Sequence, residues 1–168
     1  MQINITEYDA LKHDAFRALS VKQPFANDLV NISYEDDEGN SFGFKSIEVR
    51  SRCTSYRGKL LICSSKSPKI PNMQSGCALG FVEVYGVKRV EDFTDEDWDK
   101  TRIPRARRAE IKSGWGWLMR NPKRVVELPI KGQLGIFNIM FEKGDIVEYP
   151  RIVKVGRDDF NLLNKEKR

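Results

Sequence analysis

The sequence predicts an α+β domain that is mostly β, a small and partly closed β-barrel with one or more covering helices. Three observations predict it. Short strand-like runs bounded by turn residues recur along the 168-residue chain, whereas a helical stripe is plain only over Phe25 to Ile32. The composition, 40% hydrophobic and 32% charged, suits a globular domain large enough to bury a core. No repeat, low-complexity tract or long linker interrupts the chain, so residues 1–168 are expected to form a single domain.

Taken in order, Thr6-Glu7-Tyr8-Asp9 has the form of a capping box and places a short covering helix at about Glu7 to His13. Arg17 to Val21 reads as a strand. Gln23-Pro24 starts a helix, because proline costs nothing at the first helical position. Phe25, Leu29 and Ile32 then fall at i, i+4 and i+7 and face the sheet with Ala26 and Val30. Tyr34 to Asn40 reads as a mobile acidic loop. Ser46 to Ser51 alternates, so Ile47 and Val49 share the core side while Ser46, Glu48 and Arg50 share the other. After a turn at Gly58, Lys59 to Ser64 forms a strand, followed by a loop rich in Ser, Pro and Lys up to Gly76. Cys77 to Val90 is apolar on both faces, as suits the centre of a sheet, with a bend at Gly80 or Gly86. Thr94 caps a helical turn to Trp98, and Pro104 precedes a second short helix, Arg105 to Lys112. Trp115 to Met119, Arg124 to Leu128 and Gly135 to Met140 complete the strands, separated by turns at Asn121-Pro122 and Lys131-Gly132. Residues 144–156 add a strand or hairpin, and Asn164 to Arg168 a frayed tail.

The formal charge of +5 is modest, and its distribution says more than its sum. Glu91 to Asp99 holds six acids and no base, while Arg102 to Arg124 holds eight bases against Glu110. A second basic cluster comprises Lys45, Arg50, Arg52, Arg57 and Lys59, opposed by Glu48 alone. Two such clusters suit a polyanion, and the bland alternative is a solvated face balanced by the neighbouring acids. Cys53, Cys63 and Cys77 lack CxxC spacing and His13 is the only histidine. Reduced thiols are therefore expected, with no zinc site and no cofactor. No segment approaches a membrane span, and the first residues carry acids where a signal peptide would be basic and then apolar, so a cytoplasmic protein without membrane contact is expected.

Four segments in order resemble the ASCH domain, named for activating signal cointegrator homology and part of the PUA-like barrel superfamily. Ala18 to Val30 (ALSVKQPFANDLV) resembles the family's opening strand and helix. Gly43 to Ser65 contains Gly43, Lys45, Glu48 and Arg50 in the spacing of its GxKxxExR motif. Ala78 to Val87 resembles its central strand, and Trp117-Leu118 with Asn121 to Phe137 its closing strands. The resemblance spans about Ala18 to Ile139. It implies a PUA-like barrel with a cleft between barrel and first helix, lined by the KxxExR segment, that takes RNA or a nucleotide-like ligand.

In such a cleft Arg50 would pair with a phosphate, Glu48 would accept from a base N–H or a ribose hydroxyl, and Lys22 and Lys45 would add positive charge. The resemblance also implies a weaker catalytic candidacy for Lys45 and Glu48. Some small bacterial relatives are amidohydrolases of acetylated cytidine that use a lysine, a threonine three residues later and a separate glutamate. Here Glu48 stands where that hydroxyl would be, so the segment favours binding over hydrolysis of a modified nucleoside or RNA. A further nucleic-acid surface is expected from Arg52, Arg57, Arg105, Arg107 and Arg108, with Trp115 as a stacking surface and Trp117 as core. The expected partner is RNA or another single strand. The third alternative is a protein-interaction adaptor using the charged middle of the chain.

Overall fold

The structure, a computed structural model, describes residues 12–150. In chain order the elements are β1 (His13–Val21), helix α1 (Phe25–Val30), β2 (Ile32–Glu35), β3 (Ser41–Gly43), β4 (Ile47–Arg50), β5 (Gly58–Ser64), β6 (Cys77–Arg89), a 3-10 turn (Val90–Asp92), α2 (Asp95–Thr101), α3 (Arg105–Arg108), β7 (Trp115–Pro129) and β8 (Ile136–Glu142). Six strands form one sheet in the order β4-β7-β6-β5-β1-β8, and β2 pairs with β3 as a separate hairpin. β1 runs parallel to β5, and the other neighbours are antiparallel. The mostly β, α+β class is as expected.

The barrel is not. The sheet stays open, since β4 and β8 are edges that do not pair with each other among the described residues. Just ahead of β4 the C-terminal end of α2 meets the chain at Ser46. Ser46 N donates to the Lys100 carbonyl of α2 at 3.0 Å, while Ser46 O accepts from Met119 N of β7 at 2.9 Å. The exposed edge is covered rather than closed.

Apolar side chains fill both faces of the central strands. On one face Leu19, Leu60, Ile62, Leu79 and Val82 pack with Ala26, Leu29 and Val30 of α1. On the other, Ala18, Leu61, Ala78, Phe81 and Phe137 form a second cluster. Burial on both sides is why β5 and β6 read as nearly continuous apolar runs rather than as alternation.

Several elements differ from expectation. The helix ends at Val30, because Asn31 is extended (φ −98°, ψ 121°) and Ile32 pairs with Gly43 in the hairpin, where it is exposed. The acidic stretch is the turn of that hairpin, closed by Asp36 Oδ1 accepting from Glu38 N and Asn40 N, with Gly39 at φ 83°. Asn121-Pro122 does not end a strand but lies inside the 15-residue β7. There Asn121 takes φ 53° and Val82 of β6 faces two residues, a bulge at which the missing proline N–H leaves no ladder bond unmade. The second short helix spans only Arg105–Arg108. The helix expected at Glu7 to His13 lies mostly outside the described residues, with His13 opening β1. Of the strand or hairpin expected over residues 144–156, the described part runs beside β7 through the bridge Val125 to Glu148, with Val126 N donating to the Val147 carbonyl at 2.7 Å and Tyr149 N to the Arg124 carbonyl at 2.9 Å. Residues 151–156 lie outside the described residues. The expected tail lies outside the described residues.

Topology gathers the loops. Because β1 and β5 are parallel, the segments after Val21 and after Ser64 leave from the same end of the sheet, and those entering antiparallel β6 and β8 arrive there too. No described helix is long and apolar enough to cross a membrane.

Candidate functional site

Gly43 sets the geometry of the Lys45 to Arg50 segment. A Cβ there would lie 2.6 Å from the Asp28 carbonyl oxygen, 2.7 Å from that of Leu29 and 2.8 Å from that of Lys45, so only glycine lets the chain pass this close to the end of α1. Lys45 N then donates to the Asp28 carbonyl at 3.0 Å. Lys45 therefore precedes β4, and the strand alternation that would turn it away from Glu48 does not govern it.

The Lys45 side chain is 1% exposed. Its Nζ donates to the Ile47 carbonyl at 2.8 Å and the Thr101 carbonyl at 2.7 Å, and lies 3.6 Å from Glu48 Oε1. It also sits 5.0 Å from the centre of the Phe25 ring. Burial pushes the ammonium below the ordinary lysine range, while the neighbouring Glu48 carboxylate opposes that shift. Glu48 is itself buried, and its Oε2 lies 3.6 Å from Arg50 Nη2, which donates to the Ser20 carbonyl at 2.9 Å. The three residues converge as ammonium, carboxylate and guanidinium in sequence.

That sequence ends in a cleft of about 680 Å³ at the gathered loop end. Among the described residues its cations are Lys22, Arg50, Lys66 and Lys131, and its one carboxylate is Glu48. Lys45 is not in the lining and holds Glu48 from behind. The Ser20 hydroxyl in the wall is buried with no hydrogen-bond partner among the described residues. A Cβ at Gly132 would lie 2.6 Å from Ser20 Oγ, so glycine lets the 131–135 loop close over β1. Ser20, Lys66 and Lys131 escaped the sequence reading. Lys131-Gly132 was legible only as a turn and Lys66 only as part of a Ser, Pro and Lys loop.

A second cleft, of about 770 Å³, is lined by Asp28 of α1 and by Arg102 and the 103–108 segment, and shares Lys22 and Phe25 with the first. Gln23 anchors this helix, its Oε1 accepting from Asn27 N at 3.0 Å and its Nε2 donating to the Gln74 carbonyl at 2.9 Å. Two acids in the second cleft are matched: Asp28 lies 3.6 Å from Arg102, and Asp99 lies 3.0 Å from Arg108. Arg108 Nε also donates to the Ile103 carbonyl at 2.9 Å. Arg105 and Arg107 line the cleft with no side-chain partner among the described residues.

The remaining expected surface residues lie elsewhere. Arg52 and Arg57 are exposed and line neither cleft, and Arg57 donates to the Thr54 and Tyr56 carbonyls at 3.0 and 2.8 Å. Trp115 is half-buried, with the Arg89 guanidinium 5.2 Å from its ring, and also lines neither. Trp117 is core, its Nε1 donating to the Arg52 carbonyl at 3.0 Å. The cysteines are free, and burial raises the Cys63 thiol to about 12. Among the described residues no group of three or more His, Cys, Asp or Glu could hold a metal ion.

No family model and no curated protein matches the chain. Solved structures do. An ASCH protein from Zymomonas mobilis superposes with a TM-score of 0.53 at 12% identity, covering 76% of this chain and 87% of that one. A tyrosine-to-phenylalanine and a serine-to-alanine mutant of the Zymomonas mobilis protein match with the same score and identity, over 90% and 88% of their lengths. The ordered segments, the KxxExR convergence beside the first helix and this superposition agree, and the chain has the ASCH domain fold.

Proposed function

We propose that this protein binds nucleic acid, RNA or a nucleotide-like ligand, in the cleft that ends at Arg50. The observation that carries the reading is the lining: among the described residues, four cations against one carboxylate, with a buried hydroxyl at Ser20 that has no hydrogen-bond partner among them. A cleft of this size holds a ligand of nucleotide dimensions. Arg50, with one N–H fixed on the Ser20 carbonyl, presents its remaining donors to a phosphate. Glu48, held by Lys45, is an acceptor for a base N–H or ribose hydroxyl, and such paired polar demands reject ligands that lack them.

A hydrolase takes second place. Lys45 donates to two carbonyls and is ion-paired with Glu48, and a Lys-hydroxyl pair at the spacing of the amidohydrolases is missing because Glu48 occupies the hydroxyl's position. Titration of labelled single-stranded RNA at low salt tests the proposal. Arg50→Ala is expected to weaken binding at least tenfold; it also removes the hydrogen bond to the Ser20 carbonyl and the ion pair with Glu48, so its circular dichroism spectrum and melting curve are recorded beside the titration to show that the variant is folded at the assay temperature. Absence of binding across RNA, single-stranded DNA and nucleotides would sink it.

A further inference from the structure

We infer that the two clefts beside α1 form one track for a single nucleic-acid strand, with Lys22 and Phe25 as the saddle between them. The inference rests on the proposed nucleic-acid reading and adds the ligand's form: a strand of several nucleotides rather than a mononucleotide. The first support is continuity. Lys22 and Phe25 line both clefts, so a chain leaving the Arg50 cleft over α1 enters the arginine-lined cleft without crossing intervening surface. Each cleft has the volume of a small-ligand site, and together they exceed what one nucleotide fills.

Charge gives the second support. In the arginine-lined cleft, Asp28 and Asp99 are matched by Arg102 and Arg108, which leaves Lys22, Arg105 and Arg107 without a neutralising acid among the described residues. The acidic run that was expected to balance this helix reaches only Arg108, through Asp99. Arginines left unpaired in a concave wall suit phosphate, whose oxygens match the guanidinium fork. The third support is the saddle itself. Phe25 is half-buried, with the Lys45 ammonium 5.0 Å from its ring centre, and offers a surface on which a base can stack. Stacking there needs an unpaired base, which favours a single strand over a duplex.

The test compares two probes, a uridine dinucleotide and an oligouridine of about ten nucleotides, a length within the range of single-strand sites. Wild type and the double variant Arg105→Ala/Arg107→Ala are titrated by fluorescence anisotropy across a salt series. Both arginines are exposed and partnerless among the described residues, so the variant should keep the wild-type melting curve. The expected result is unchanged dinucleotide binding, with weaker oligouridine binding whose slope of log affinity on log salt falls by about 1.4, roughly 0.7 for each phosphate that is no longer neutralised. An unchanged oligouridine slope overturns the track, and if Arg50→Ala still abolishes binding then the cleft reading stands without it. No binding of either probe by wild type overturns both. Competition by polyglutamate as effective as by oligouridine would also overturn the track, assigning the arginines to an acidic protein partner.

Discussion

An ammonium buried like that of Lys45 persists only when it is hydrogen-bonded and its charge is compensated: the Ile47 and Thr101 carbonyls accept from it and the Glu48 carboxylate stands 3.6 Å away. Lys45→Met would fill the space but leave two carbonyls without this donor and Glu48 with Arg50 as its one remaining ion-pair partner among the described residues. A loss of about 1 to 3 kcal/mol in unfolding free energy is expected near neutral pH, the cost of stranding buried polar groups. Because burial lowers the folded-state value below 10.5, the unfolded chain binds more protons than the folded one between those two values. Wild-type stability from this group is therefore present above 10.5 and lost as pH falls through the lowered value. The deficit of Lys45→Met should widen as pH is raised toward 10.5, which urea unfolding across the alkaline range would detect. That Glu48 and Arg50 share a face was legible because they alternate within a regular strand, whereas their candidacy for a ligand came from the family resemblance. The enclosure of Lys45 was not, since it depends on Thr101, far away in sequence, and on an irregular backbone at Gly43.

Elements whose logic is local could be read directly. Thr94 accepts from Asp97 N at 3.1 Å and Asp97 accepts from Thr94 N at 3.0 Å, a capping box that opens α2 where the sequence placed it. Burial opposes ionisation of Asp97, yet hydrogen bonds from Lys88 and Thr94 hold its carboxyl below the usual range. Non-local compensation hid the rest: Asn121-Pro122 carries turn chemistry, but a bulge against β6 keeps the strand running. Glycines separate by the same criterion. At Gly43 the atoms a Cβ would meet are backbone oxygens that cannot swing away, whereas at Gly86 the nearest is Leu118 Cδ1 at 3.3 Å, the end of a flexible side chain. Gly43→Ala is expected to cost about 1 to 3 kcal/mol or more, as over-packing does, and Gly86→Ala much less. Denaturant midpoints for the two variants would show the difference. Equal midpoints would mean that the passage beneath α1 has slack to spare.

At the scale of the whole molecule, the site exists because of one parallel strand pair. Had β1 and β5 been antiparallel, as a meandering barrel would make them, Lys22 and Lys66 would leave from opposite ends of the sheet. Pairing Ala18 with Leu61 and Val21 with Ser64 puts both at one end, where the 131–135 loop also arrives before β8. Strand direction is set by pairing between distant segments, so individual strands could be read from periodicity while the open sheet and its gathered loops could not. The basic clusters were legible as charge, but only the fold decides which charges face a cleft: Arg50, Arg105 and Arg107 do, while Arg52 and Arg57 do not. Lys22 is the residue where this arrangement is most exposed to test, since it alone among the described cations lines both clefts. Lys22→Glu places an acid on the saddle, and like-charge repulsion then acts on a ligand in either cleft. It is expected to weaken both the uridine dinucleotide and oligouridine, and to do so more at low salt than at high salt, where screening shortens the reach of the new charge. Anisotropy titrations at two ionic strengths would check this, and an effect confined to one probe would mean that Lys22 serves one cleft only.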